Sequence, residues 1–436
     1  MLFHSLKVLS VLWLLLVVQT QPVVAQMDDD PRYTVITGTG QSLFRIAIPP
    51  ILDGGGVKES TQIASTVLRN DMTLIGLFKI INPKGFLANL QKEGTGINAQ
   101  DWINVGAQAV IKGRAQQQGN KITIDFFLYE PNQSAAPVLT RSFSSNAHGI
   151  RRSAHEFGNE VVNYFTKEPG VFTTRISFAS ANPQRKTSQI YVMDFDGFGV
   201  FNLSKTGDQN ILPTWSPDGR IAYTSLLWRN PDLFLVPSSG GRAQRISKWP
   251  GLNSDASWSP QGDKIALTLS KDGNAEIYLI NDQGTIIRRL TNNSAIDTSP
   301  TWSPDGSQIA FVSNRGGSPQ IYVMSSNGEP AKRLTYRGTY NQEPSWCPLK
   351  ENPVVAFTAR DESGHFDIFS INVDTGELKR LTQGQGNNKS SSWAPNGRLI
   401  VFSSTRGGLW IMDADGLNQH QIYRGRQAQT PAWSKR

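Results

Sequence analysis

The sequence predicts an α+β N-terminal domain followed by an all-β six-bladed β-propeller. Three observations carry the prediction: a tryptophan period, a recurring set of apolar runs behind each tryptophan, and a complementary shortage of strands at the two ends of the repeating region. Trp215, Trp258, Trp302, Trp346, Trp393 and Trp433 follow one another at 43, 44, 44, 47 and 40 residues, a period typical of propeller blades.

Most of these tryptophans open a Trp-Ser-Pro-Asp-Gly phrase. It is complete at Trp215–Gly219 and Trp302–Gly306, and nearly so at Trp258–Gly262 and Trp393–Gly397. Proline presets the backbone angle of a turn, Asp or Asn followed by Gly completes the reversal, and the indole supplies apolar area to fill the space between blades. After the turn comes a run such as Ile221-Ala-Tyr223, Ile265-Ala-Leu267, Ile309-Ala-Phe311 or Leu399-Ile-Val-Phe402, apolar on both faces. A second run follows, as in Ile277–Ile280, Ile321–Met324 and Leu409–Met412, and then a polar one, Arg289-Leu-Thr291, Arg333-Leu-Thr335 or Arg380-Leu-Thr382. An exposed arginine on this outermost strand is expected to discourage edge-to-edge pairing. At Trp346 the phrase runs on as Cys-Pro-Leu-Lys350, so that blade should turn differently.

The ends settle how the ring closes. Three strands at Arg175–Phe178, Ile190–Met193 and Phe201–Ser204 lack a tryptophan strand before them, and the last tryptophan strand, Gln429–Trp433, lacks three after it. Together they make one blade, which clasps a six-bladed ring spanning 175–436.

Ahead of the ring, residues 43–167 mix helix and strand. Phe44–Ile48 and Leu77–Ile81 read as strands, Thr61–Leu68 as a helix, and Asn82-Pro83 as the cap of a short helix carrying Phe86, Leu87 and Leu90. Ala109–Ile111 and Lys121–Leu128 flank a Gly119-Asn120 hairpin turn, and Ile150–Phe165 is amphipathic with Ile150, Ala154, Phe157, Val161 and Phe165 on one stripe. Residues 168–174 are the expected linker. The first 25 residues, with Lys7, an eleven-residue apolar stretch Val8–Val18 and a Val23-Val-Ala25 end, read as a secretory signal peptide. That stretch is short of the roughly 20 residues of a membrane span, and the expectation is an exported, soluble mature chain that begins near Gln26 and does not span a membrane. Residues 26–42 are then a flexible N-terminal segment.

Composition narrows the function classes. The net charge of +8 is spread along the chain rather than gathered in a block, so nucleic acid is not an expected partner. The single cysteine, Cys347, stands where sibling repeats have serine, a structural substitution. There is no Gly-x-Ser-x-Gly elbow, and the part outside the ring is too short for a hydrolase domain. His148 and His155 are expected to be a solvated pair without metal partners, and Asp194-Phe-Asp-Gly197 and Asp413-Ala-Asp-Gly416 to be hairpin turns rather than calcium loops. No catalytic residues and no cofactor are expected; ring closure leaves room for a cation in the central channel. What the ring does offer is six polar loops, 205–211, 248–255, 292–299, 336–343, 383–391 and 424–429, all opening on one side around the channel mouth, with Trp249 and Tyr340 as aromatic anchors for a protein ligand. The alternative from another class is a propeller-containing hydrolase or carbohydrate-binding module.

The order of signal peptide, small α+β domain and Trp-Ser-Pro-Asp-Gly propeller resembles the TolB family of the Tol-Pal system. The pieces that carry the resemblance are Phe44-Arg-Ile-Ala-Ile-Pro49, Thr174-Arg-Ile-Ser-Phe178, Met193-Asp-Phe-Asp-Gly197, Ile211–Gly219 and Leu267-Thr-Leu-Ser-Lys271. The resemblance implies a non-enzymatic periplasmic adaptor, serving outer-membrane integrity and invagination at cell division. Its propeller would bind the lipoprotein Pal, and its N-terminal segment would bind TolA. Carried onto this chain, the Pal-facing positions are Asn253, Asp255, Thr298 and Ser299, joined by Trp249, Tyr340 and Glu343 of neighbouring loops; Leu252 and Asp255 stand where the family pattern has His and Ala. The TolA segment is about 26–41, with Asp28, Asp29, Asp30, Tyr33, Val35 and Ile36 as its contact residues, a strand-forming tail able to add to a sheet edge.

Overall fold

The structure, a computed structural model, describes residues 43–182, 184–205, 208–425 and 427–435. The expected leader and segment 26–42 lie outside the described residues.

Among the described residues, Arg175–Trp433 forms six four-stranded antiparallel sheets. Blades 1 to 5 begin at inner strands Asn210–Trp215, Asn253–Trp258, Asp297–Trp302, Asn341–Trp346 and Asn388–Trp393. Blade 6 joins the last strand, Ala428–Trp433, to the first three, Arg175–Asn182, Thr187–Asp194 and Phe201–Asn202, which is the closure that the strand arithmetic requires.

Each tryptophan fills the space between two blades. Trp302, for example, packs with Ile277 and Leu279 of one blade and Ile309 and Phe311 of the next. Three indoles also stitch neighbouring inner strands: Trp215, Trp302 and Trp393 donate to the carbonyls of Ala432, Ser257 and Ser345, each at 3.0 Å. Cys347 is buried beside Trp393. Its turn does differ: the Cys347 N–H reaches the Val354 carbonyl, seven residues on, where Ser303 reaches Gln308, five on.

The arginines of the polar outer run need a correction. They are half-buried rather than free, and Arg289 and Arg380 pair with Glu276 and Asp367 on the neighbouring strand, both of which are buried. Those carboxylates need a cation or donors once out of water, so the arginine ties the fourth strand to the third.

The α+β domain is a mixed sheet in the order Phe78–Ile80, Phe44–Ala47, Ala109–Gln118, Lys121–Tyr129 and Leu139–Ser145, with Leu52–Asp53 added beside Ala109–Gln118. Helices Lys58–Leu74 and Ile150–Thr166 cover one face, burying Ala64, Leu68 and Met72 with Phe157, Val161 and Phe165. The expected helix carrying Phe86 and Leu87 is instead a 3-10 turn at Pro83–Gly85 and a separate turn at Leu90–Glu93. Asn82 does cap the first, accepting from the Lys84 N–H, but Phe86 leaves helical geometry to pack edge-on against Trp102 on the opposite sheet face. The connection at 168–174 is packed, not open: Val171 and Phe172 are fully buried and Glu168 pairs with Arg398 of blade 5 at 2.5 Å.

Up-and-down blades put the turns after the first and third strands on one side of the ring. The domain sits on that side, against turns 394–398, 413–418 and 194–198, and its core continues into the ring through Phe172, Phe195, Ile176 and Trp433. Within this contact Asp71 accepts from His155 Nδ1 at 2.8 Å, and His155 Nε2 faces Asp196 at 3.9 Å, with Arg151 paired to Asp196. His155 is therefore no solvated partner of His148. The two are seven apart, but His148 lies exposed in a 3-10 turn before the helix while helix Lys58–Leu74 lies over His155. Asp71, His155 and Asp196 could together offer ligand atoms within 4.8 Å of one another, a grouping invisible in their sequence spacing.

Burial pushes both Asp71 and Asp413, the latter beside Gly76 at the same contact, up to about 7. A carboxyl group whose folded pKa lies above its unfolded value near 4 contributes stability in acid and loses it as pH rises from about 4 through 7. Asp413→Asn removes that titration. In urea unfolding, Asp413→Asn should match the parent at pH 4 and exceed it by about 1–3 kcal/mol at pH 8; a pH-independent difference would refute the assignment.

Candidate protein-docking face

The loops after the second and fourth strands of each blade open on the side of the ring away from the α+β domain. Here each inner strand carries one residue more than its partner: the register slips between Ile211 and Thr214, Ser254 and Ser257, and at the same place in the other four blades. Such a bulge re-aims a side chain. The residue three before each tryptophan, namely Leu212, Asp255, Ser299, Glu343, Ser390 and Thr430, is left-handed, with φ between 45° and 55°. L-residues pay about 1–2 kcal/mol for this conformation, which glycine takes freely. All six nonetheless carry side chains, and all six line one cavity of about 190 Å³ at the channel mouth.

Two carboxylates sit in that ring. Asp255 accepts from the hydroxyls of Ser254 at 2.7 Å and Ser299 at 3.2 Å. Glu343 accepts from the Thr358 hydroxyl at 2.8 Å and the Ser390 N–H at 2.9 Å, linking two blades. Burial, with the Glu343 charge added, raises the Asp255 carboxyl above its ordinary range even though both serines oppose the shift. The cavity wall combines these oxygens and two carboxylates with the Lys435 side chain, so the carboxylates can accept from N–H groups of a bound chain, while a hard cation there would share the channel with an ammonium.

Of the residues expected from sequence, Asp255, Ser299 and Glu343 are brought together in this cavity. Thr298, half-buried, flanks Ser299 in the same strand. Trp249 and Tyr340 are exposed at 40% and 39% on separate loops; the Lys271 ammonium lies over the Trp249 ring, and Tyr340 stands edge-on to Phe366. Asn253 is fully buried. Its amide donates to the carbonyls of Pro231, Trp249 and Gly251 and accepts from Ser247 and the Trp249 N–H, so it shapes the loop rather than facing a partner. Asp28, Asp29, Asp30, Tyr33, Val35 and Ile36 lie outside the described residues. Sequence reasoning missed Leu212, Ser390 and Thr430, although the signal was present: a tryptophan period that fixes the blades also fixes every position counted back from the tryptophan.

Residues 162–436 match the family described as the TolB beta propeller domain, and residues 33–136 match the TolB amino-terminal domain. The chain is 34% identical over 211 residues to the Tol-Pal system protein TolB of Legionella pneumophila strain Philadelphia 1, covering 48% of this chain and 49% of that one. It is 36% identical over 247 residues to the protein of that name from Anaeromyxobacter dehalogenans strain 2CP-C, covering 55% of each. The chain thus spans about half the length of the curated relatives it matches. Among solved structures, TolB from Acinetobacter baumannii superposes with a TM-score of 0.77 at 28% identity, covering 90% of this chain and 97% of that one.

Proposed function

The chain belongs to the TolB family, and from that premise we propose that it is a non-catalytic periplasmic adaptor of the Tol-Pal system, docking the Pal lipoprotein on its channel mouth. The observation that carries this reading is the ring of six left-handed residues, each of which presents a side chain to the mouth at a cost in backbone strain; such strain is characteristic of ligand-contacting positions. In this reading Asp255, Ser299 and Glu343 accept and donate hydrogen bonds to the lipoprotein, Trp249 and Tyr340 flank it, and Asp255 with Glu343 would hold a channel cation if one binds. The segment 26–41 would engage TolA, so that one chain joins an outer-membrane-anchored partner to an inner-membrane one in support of envelope integrity and constriction at division.

The test is calorimetry with purified mature chain, Pal and the periplasmic part of TolA. Glu343→Lys places a cation where the ring has an acceptor, and is expected to weaken Pal binding by about 100-fold; because the Ser390 N–H and Thr358 hydroxyl lose this acceptor, the thermal midpoint should fall as well, and Glu343→Gln, which keeps an acceptor there, separates the two effects. Deleting 26–41 is expected to abolish TolA binding and leave the ring folded. A parent chain that fails to bind Pal sinks the adaptor reading and returns a carbohydrate-binding module to consideration.

A further inference from the structure

We propose that the outer cleft of blade 4 is a binding site for an indole ring, the tryptophan side chain of a partner peptide or protein. Blades 1 and 4 share one aromatic frame and differ in what covers it. In blade 1 the second, third and fourth strands align Tyr223, Phe234 and Arg245. Tyr223 and Phe234 stack at 5.8 Å, Trp228 from the loop between the second and third strands stacks on Phe234 at 5.6 Å, and Arg245 closes over the indole at 4.5 Å. Blade 4 repeats this frame with Phe357, Phe369 and Arg380, in the same register. Its two rings stack at 6.0 Å and the arginine stands 5.6 Å over Phe369.

What differs is the covering side chain. Other blades also cover the corresponding rings from that loop: Lys271 lies over Tyr278, Arg315 over Phe311 and Tyr322, and Arg406 over Phe402 and Trp410. Blade 4 has Asp361 in the loop place of Lys271 and Arg315. A carboxylate is repelled by the negative face of a ring, and Asp361 turns instead to Arg380 at 2.8 Å and to the Ser363 hydroxyl. The ring pair is left at the floor of a cleft of about 570 Å³, walled by Arg337, Arg360, Arg380 and Leu378, within the range of small-ligand sites, about 300–1,000 Å³.

The lining selects among guests. Arg380 is already paired with Asp361 and Asp367, so Arg337 and Arg360 are the guanidinium groups that disfavour a cationic side chain like those that cover blades 2, 3 and 5, with Glu362 as the other acid of the lining. These guanidinium groups favour a flat π system, which stacks one face on Phe369 and offers the other to a guanidinium, the arrangement that Trp228 already adopts in blade 1 between Phe234 and Arg245.

The probe is 5-fluoroindole, followed by fluorine NMR with the intact mature chain. Glu362 occupies the loop place of Trp228: each lies five residues past the stacked aromatic of the second strand, Phe357 in blade 4 and Tyr223 in blade 1. Parent and Glu362→Ala should show saturable binding; Glu362→Trp, which supplies the indole from the chain itself, and Asp361→Arg, which restores the cationic cover, should both lose it. Absence of saturable binding in the parent, or its persistence in both filled variants, would overturn the proposal. Neither result bears on the channel-mouth reading, because the cleft shares none of the six ring residues.

Discussion

Deleting the last strand, Ala428–Trp433, together with the residues after it, is expected to yield a chain with no cooperative unfolding transition. That strand is the inner strand of blade 6, and its partners lie about 250 residues earlier: Ala428 pairs with Ser180 and Trp433 with Ile176. Without it, Phe178 and Ile176 of the first blade strands and Ala394 and Leu399 of blade 5 lose their common neighbour, and an inner strand edge faces water. The milder Trp433→Ala isolates the side chain. Trp433 is 2% exposed and donates from Nε1 to the Thr174 hydroxyl at 2.7 Å, so truncation opens a cavity in the core and takes away that hydroxyl's donor, leaving it only its bond to the Val171 carbonyl. The expected cost is about 3–5 kcal/mol, read as a lower guanidinium midpoint. A strand-deleted chain that still unfolds cooperatively near the parent midpoint would show that the ring does not depend on this clasp.

The second large effect is expected at the buried contact between the domain and the ring. His155→Ala removes the donor to Asp71, which is fully buried and whose other oxygen already lacks a partner, and leaves Asp196 with Arg151 and the Phe198 N–H. Breaking a buried pair from one side costs about 3–5 kcal/mol, because the desolvation of the remaining group is no longer offset. Replacing both partners by apolar residues, His155→Phe with Asp71→Leu, should recover much of that loss, since nothing charged is then stranded. Denaturation of the two single variants and the double variant measures the coupling. If the double variant costs the sum of the singles, the pair is not interacting and the assignment is wrong.

Much of this fold was legible because propeller blades repeat. The indole period, the turn phrase and the unequal ends fixed blade number and closure, since each repeat is a local copy of the same solution. The α+β domain, with no repeats to average over, was read less well: the strands Leu52–Asp53 and Leu139–Ser145 and the helix Ala99–Asn104 went unseen. Leu139–Ser145 is largely exposed and polar, so apolar alternation could not reveal it. At the docking face, loop polarity suggested contact residues but could not separate those turned outward, such as Glu343, from those turned inward, such as Asn253. A buried asparagine bracing a loop has the same sequence signature as an exposed one. Nor could spacing disclose the meeting of Asp71, His155 and Asp196, which depends on how two helices and a blade turn pack.

The seam in blade 6 also bears on when the molecule can become itself. A sheet assembled from strands some 250 residues apart cannot form until the last strand of the ring has been made, which places its closure among the slowest, most non-local steps of folding. The same seam carries the core that the N-terminal domain leans on. Until the final residues arrive, that domain has no finished surface to rest against, and a chain stopped a few residues short would expose its defect at both ends at once.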